Sequence, residues 1–182
     1  MERADFDRLF VITGGPGSGK TSLIEALARL GISSMPEAGR AIIRDQVAIG
    51  GEALPWSNRD AFAELMLSWE MRSYRDALRI NGTVIFDRGI PDVVGYLRLC
   101  GLPIPSHIVR AAQTFRYHHR VFVAPPWPEI FAHDSERKQS FDEARATHAA
   151  MIETYTGLGY ELIQLPLNSV EERVQFVLTA IG

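Results

Sequence analysis

The chain has 182 residues, of which 46% are hydrophobic and 23% charged, and its formal net charge is -3. That balance suits one folded α/β domain with a real core and excludes a disordered chain, and the weak acidity offers no general attraction for nucleic acid, which is not expected as a partner. The single cysteine, Cys100, excludes a disulfide framework or a four-cysteine zinc site, and no uninterrupted apolar run is long enough to span a bilayer.

Met1-Glu2-Arg3-Ala4-Asp5 has no basic stretch leading into an apolar one, so a cytoplasmic protein is expected. Leu9-Phe10-Val11-Ile12-Thr13 predicts a buried strand that enters a tight loop at Gly14-Gly15-Pro16-Gly17. Lys20 to Leu30 carries Leu23, Leu27 and Leu30 at helical spacing and is closed by Gly31. Ile32–Met35 predicts a second strand, and Ala38 to Ile49 a helix ending at Gly50-Gly51. Ser57-Asn58-Arg59-Asp60 reads as a capping arrangement with Asp60 in place of the usual Glu or Gln. The helix it opens runs to Ile80 and places Phe62, Leu65, Met66, Trp69 and Leu78 along one side. Thr83-Val84-Ile85-Phe86 predicts a third strand that stops on Asp87.

Helices follow at Pro91–Leu99 and Ser106–Phe115, separated by the breaker segment Gly101–Pro105. Arg120–Ala124 predicts the fourth strand, ended by Pro125-Pro126. Ser140-Phe141-Asp142-Glu143 is a capping box opening a helix to about Thr156, and Glu161–Leu165 is the fifth strand, followed by Pro166. A second capping box, Ser169-Val170-Glu171-Glu172, starts a last helix with Val174, Val177, Leu178 and Ile181 inward. Strands that alternate with helices predict a parallel sheet covered on both faces, in one domain over residues 1–182. The polar run His133–Ser140 reads as a solvated loop or, above a nucleotide, as part of a lid over about residues 127–140.

Gly14-Gly15-Pro16-Gly17-Ser18-Gly19-Lys20-Thr21 fits the phosphate-loop pattern G-x-x-x-x-G-K-[ST] completely, between a buried strand and an amphipathic helix. Glycines let the backbone aim several N–H groups at one centre, and the helix N-terminus adds a field that favours phosphate. Lys20 is expected to span the β- and γ-phosphates of ATP or GTP, and the Thr21 hydroxyl to ligate Mg²⁺. Asp87, at the C-terminal end of a strand, is a second Mg²⁺ ligand or simply a turn former. Arg88 is a phosphate or acceptor clamp, or the ion-pair partner of Asp92 or Glu37. Glu37 orients or deprotonates an acceptor hydroxyl, positions a water, or caps its helix. Arg40 and Arg44 lie one helical turn apart and offer an anion site, with Arg44 also readable as a surface residue. Arg137, ahead of Lys138, is the expected lid arginine, because its planar fork suits phosphate. Trp69 reads as core, and Trp127, within Pro125-Pro126-Trp127-Pro128, as a wall or a rigid turn. His118-His119 lacks the ligand spacing of a zinc site.

Together with Pro36-Glu37-Ala38-Gly39-Arg40, Asp87-Arg88-Gly89-Ile90-Pro91-Asp92, Glu136-Arg137-Lys138-Gln139, Leu158-Gly159-Tyr160 through Pro166, and Ser169–Arg173, the loop resembles the P-loop kinase-like ATPases. The resemblance is greatest to the small AAA-type domain group related to nicotinamide-riboside kinases. It implies a three-layer α/β/α, nucleoside-kinase-like fold with strand order 2-3-1-4-5, and Mg-ATP or Mg-GTP with Pro166 bordering the base. It also implies action of Glu37 on the acceptor, Asp87 and Arg88 beside metal and phosphates, and Arg137 in the lid. The chain lacks an Asn-Lys-x-Asp guanine motif in Leu162–Asn168 and the strand-end Asp-Glu pair of ring ATPases, having Asp87-Arg88 instead. Phosphoryl transfer to a small hydroxyl or phosphate acceptor is the first expectation. A nucleoside triphosphatase, or a nucleotide-dependent switch or binding module, is the alternative.

Overall fold

The computed structural model of the protein describes residues 5–131 and 140–182. A 3-10 turn at Asp5–Arg8 leads into β1 (Leu9–Gly14), followed by α1 (Lys20–Arg29), β2 (Ser33–Met35), α2 (Ala38–Ile49) and α3 (Arg59–Ala77). Then come β3 (Val84–Asp87), α4 (Ile90–Leu99), α5 (Ser106–Thr114), β4 (Arg120–Ala124), a 3-10 turn at Pro128–Ile130, α6 (Phe141–Gly157), β5 (Glu161–Gln164) and α7 (Val170–Ile181).

The strands form one parallel sheet in the order β2-β3-β1-β4-β5. Alternation of side chains across the pleat divides the core in two. Phe10, Ile12, Ile85 and Phe122 face α1 and α7, where Leu23, Leu27, Val174 and Val177 meet them. Leu9, Val11, Val84, Phe86 and Val121 face the opposite layer, where α3, α4, α5 and α6 supply Leu67, Val93, Ile108 and Tyr155. The fold is therefore the three-layer α/β/α, P-loop, nucleoside-kinase-like architecture, with its central strands buried on both faces. Ile12 pairs with Asp87 and Gly14 with Ala124, so the C-terminal ends of β1, β3 and β4 share one edge of the sheet.

Both capping boxes form: Ser140 with Glu143 and Ser169 with Glu172 accept each other's backbone N–H groups. The start of α3 differs from the expectation. Asn58, not Ser57, is the cap, and its side chain accepts from the Ala61 N–H. The inward stripe of α3 differs too. Leu65 and Leu78 are exposed, whereas Ala63, Leu67, Glu70, Tyr74 and Ala77 are buried. Leu30 likewise lies beyond the end of α1 and is exposed.

Gly14 holds φ +132°, and a Cβ there would collide with the Ala124 carbonyl oxygen on the neighbouring strand. Gly50 also has a positive φ, +67°, but faces open space. Gly50→Ala should therefore cost about 1–2 kcal/mol, the ordinary left-handed penalty. Gly14→Ala adds a backbone collision to strain of that order and should cost at least about 3 kcal/mol. Urea unfolding of both variants checks this; equal losses would contradict the described packing.

Candidate functional site

Gly14 ends β1, Lys20 begins α1, and the loop between them turns on positive φ at Gly17 (69°) and Gly19 (77°). Its carbonyls are held by its own side chains. The Ser18 hydroxyl donates to Gly15 O at 2.8 Å, and Lys20 Nζ donates to Gly15 O at 2.8 Å and Gly14 O at 3.4 Å. Lys20 is 6% exposed, and its burial, reinforced by the nearby Arg88 charge, brings the ammonium pKa down to about 8. Thr21, one residue on, is exposed in the first turn of α1.

A charged cluster lies at the neighbouring strand end. Arg88 Nε meets Glu37 Oε1 at 3.1 Å, and Arg88 Nη1 meets Asp92 Oδ1 at 3.3 Å. Both ion-pair partners expected for Arg88 are thus engaged together. Arg88 has φ 74°, a left-handed conformation unusual for a residue with a Cβ. Arg40 adds a 3.5 Å contact to Glu37 Oε2, while Arg44 is exposed. Burial pushes the Glu37 carboxyl up, but Arg88, Lys20 and Arg40 outweigh it and hold the pKa below the usual carboxylate range. Asp87 is 8% exposed, and its Oδ1 is buried without a hydrogen-bond partner among the described residues. Burial raises its pKa.

The chemistry of this donor set fits a divalent cation whose shell is completed by phosphate and water. Asp87 offers one orphaned carboxylate oxygen, and the Thr21 hydroxyl stands at the start of α1. Among the described residues no three His, Cys, Asp or Glu side chains group as metal ligands, so an all-protein cage is not present there.

The expected residues Gly14–Thr21, Glu37, Asp87 and Arg88 are brought to one sheet edge. Pro166, just beyond β5, is half-buried. Arg137 and Lys138 lie outside the described residues, as does most of the expected lid. His118 is a packing residue: it stacks on Phe10 at a 4.2 Å centroid distance and its Nδ1 accepts from the Arg120 N–H.

Two residues buried beside the site, Glu70 and Arg173, had no role in the sequence reading, and a third, Asp92, was expected only as a partner of Arg88. Asp92 accepts from the Thr13 hydroxyl at 2.5 Å, the Tyr155 hydroxyl at 2.6 Å and the Gly89 N–H at 2.9 Å, besides Arg88. Glu70 is 4% exposed on the inner face of α3, and burial, with the nearby Asp92 and Asp87 charges, raises its pKa well above the usual range. Arg173 is 1% exposed, donates to Ser18 O at 3.1 Å and lies 5.7 Å from the Trp127 ring. Glu70 and Arg173 each sit in a buried helical stripe, 63-67-70-74-77 and 173-174-177, and a charge within such a stripe was the available signal.

A family model described as an AAA domain matches residues 9–173. No curated protein matches the sequence. Solved structures share the fold at low identity. The NadR protein in complex with NR has a TM-score of 0.72 and 18% identity, over 97% of this chain and 51% of that one. Deoxyadenosine kinase from M. mycoides, with dCMP and dCDP bound, has a TM-score of 0.66 and 11% identity, over 95% and 98%. Thymidylate kinase from Ehrlichia chaffeensis has a TM-score of 0.64 and 14% identity, over 96% and 98%. The present chain spans about half the length of the NadR chain. Among the described residues no helix is long and apolar enough to cross a membrane.

Lys20 carries a pH signature. Its folded pKa of about 8 lies below the ordinary 10.5, so below pH 8 both folded and unfolded chains hold the proton and the cost of burying the ammonium is felt in full. Between those values the unfolded chain binds more protons than the folded one, so stability rises with pH. Urea unfolding from about pH 7 to pH 10 should show the wild type gaining stability relative to Lys20→Met; a constant difference would contradict the burial of the charge.

Proposed function

We propose that this chain, which belongs to the AAA domain family, binds magnesium ATP or GTP and transfers the terminal phosphoryl group to a small-molecule acceptor. The observation that carries this reading is the meeting of the phosphate-loop lysine with the Glu37–Arg88–Asp92 cluster at one sheet edge. A bare phosphate-binding module needs only the loop. The paired carboxylate and guanidinium beside it give a second reactant a charged, oriented seat.

In this reading Lys20 leaves the Gly14 and Gly15 carbonyls and takes the β- and γ-phosphates in their place. Thr21 and Asp87 would hold Mg²⁺, which neutralises phosphate charge when bound. Glu37, kept ionised by Arg88, accepts a hydrogen bond from the acceptor hydroxyl, which fixes its line of attack, and takes the proton as that oxygen bonds to phosphorus. Arg88 has its Nε and Nη1 committed to carboxylates and serves first to hold Glu37. Arg137 would neutralise charge on the phosphoryl group from a lid over about residues 127–140, and Pro166 would border the base. NadR in complex with NR, deoxyadenosine kinase and thymidylate kinase share the fold, which makes nucleosides and nucleotides the first acceptors to try.

The test is transfer of label from γ-labelled ATP and GTP to a panel of nucleosides, nucleotides and other small hydroxyl compounds. One acceptor should stimulate turnover and appear as a phosphorylated product. Glu37→Gln should slow transfer by roughly 10²–10⁴-fold with nucleotide affinity little changed, and Lys20→Ala should weaken nucleotide binding itself. Full transfer by Glu37→Gln to the true acceptor removes the proposed role of Glu37. Hydrolysis indifferent to every acceptor points instead to a triphosphatase.

A further inference from the structure

Arg173 is a charged side chain buried against the phosphate loop with no carboxylate in contact with it among the described residues. Its Nη1 donates to Ser18 O at 3.1 Å, while its Nε and Nη2 are buried and have no hydrogen-bond partner among the described residues. Leaving such donors unmet costs free energy, so the site is matched to something that supplies acceptors. The two unmet groups lie on one edge of the planar guanidinium and therefore form a parallel fork.

The peptide between Ser18 and Gly19 says what that fork faces. In a trans peptide the C=O of Ser18 and the N–H of Gly19 point in opposite directions. If the loop's N–H groups face a polyphosphate, Arg173, which sits on the Ser18 carbonyl, is on the other side of that peptide. A phosphate held inside the loop is then out of its reach. The side it occupies lies towards the ends of β4 and β5, where Trp127 flanks the guanidinium at 5.7 Å. A nucleotide anchored by its phosphates has its base left to place there, outside the carboxyl ends of the strands.

Purines differ on the edge a fork can read. Guanine presents two acceptors, O6 and N7; adenine presents the N7 acceptor beside its N6 amino donor. A fork of two donors matches guanine and opposes one group of adenine. We infer that Arg173, flanked by Trp127, reads the base of the bound nucleotide through its O6/N7 edge and makes this protein select GTP over ATP. This inference rests on the nucleotide reading above and assigns its donor.

The segment from Trp127 to Phe131 lies across the way in. A Cβ on Gly17 would stand 2.6 Å from the Phe131 ring, and one on Gly19 would stand 3.1 Å from Ile130 Cδ1. A base reaches the buried fork when this segment shifts, and the shift changes the surroundings of Trp127. Tryptophan fluorescence therefore reports the event, with calorimetry as the independent measure.

The experiment compares the magnesium complexes of GTP, ITP, 7-deaza-GTP, ATP and tripolyphosphate on the wild-type chain, and of GTP and ATP on Arg173→Lys and Arg173→Met. GTP and ITP, which share O6 and N7, should bind tighter than ATP by roughly ten- to a hundredfold, the discrimination of a bidentate contact. The 7-deaza compound, which keeps only O6, should fall between them. Arg173→Met should bring the GTP-to-ATP ratio close to one and Arg173→Lys should lower it, because an ammonium keeps the charge and its donors but lacks the planar fork. The ratio needs no comparison of folded fractions, and the ligand series on the wild type needs no variant. Equal or tighter binding of ATP by the wild type, or an undiminished ratio in Arg173→Lys, overturns the base assignment while the phosphate-loop reading stands. No binding of any nucleotide or of tripolyphosphate takes both down.

Discussion

Asp92 accepts hydrogen bonds from the Thr13 hydroxyl in β1, the Tyr155 hydroxyl of α6, and the Gly89 amide and Arg88 guanidinium of the turn after β3, and so joins three separate parts of the fold at one carboxylate. A buried carboxylate is destabilising by several kcal/mol unless its oxygens are met, and four donors meet these. Because α6 packs on α4 through this bond as well as through apolar contact, the phosphate-loop strand cannot move independently of the helix layer behind it. The same carboxylate fixes Arg88 from one side while Glu37 fixes it from the other. That double hold accounts for the left-handed backbone of Arg88, a strain of about 1–2 kcal/mol that a surface arginine would relax. Glu37 is in turn placed by Arg88, so the Glu37 end of the cluster inherits its geometry from Asp92.

Burial and pairing pull the carboxyl groups of this cluster in opposite directions. Four carboxyl groups, Glu37, Glu70, Asp87 and Asp92, share the region with the cations of Lys20 and Arg88. Burial raises the pKa of Glu70 well above the usual carboxylate range and raises that of Asp87, whereas Arg88, Lys20 and Arg40 hold Glu37 below it. Lys20 shows the complementary behaviour. With two loop carbonyls as its nearest acceptors, its ammonium loses more to desolvation than it regains from the carboxylates, and its pKa falls.

How much of this was legible in the sequence follows from where each interaction lies along the chain. The central strands β1, β3 and β4 read clearly because burial on both faces makes them continuous apolar runs. The phosphate loop and the two capping boxes read clearly because their partners lie within a few residues. The ion pair of Arg88 with Asp92 was readable as a four-residue spacing, but the bonds of Asp92 to Thr13 and Tyr155 span 79 and 63 residues and leave no local trace. Strand order came from family resemblance, since no pattern of residues encodes it. The inward face of α3 was read in part: Phe62, Met66 and Trp69 pack inward as expected, whereas Leu65 and Leu78 are exposed and the rest of the buried stripe contains Ala63, Glu70 and Ala77, which carry little or no apolar signal. Arg173 was hidden for the same reason, beside Val174 on the face of α7 that enters the core.

Among the described residues, one kind of polar group is left unmet on either side of the phosphate loop. Towards β3 it is the Asp87 Oδ1 acceptor, and towards β4 and β5 it is the Nε and Nη2 donors of Arg173. Buried polar groups are nearly always paired, so unmet groups bordering one loop point to a ligand that carries both complements. A bare anion would satisfy the loop amides and Lys20 but would add negative charge beside Asp87. A metal ion alone would satisfy Asp87 and oppose Arg173. A magnesium nucleotide carries its cation at the polyphosphate and its acceptor edge on the base, separated by a sugar, and so presents the two complements at opposite ends of one molecule. The pattern of unmet groups supports the proposed reading independently of the loop motif, because neither Asp87 nor Arg173 belongs to that motif.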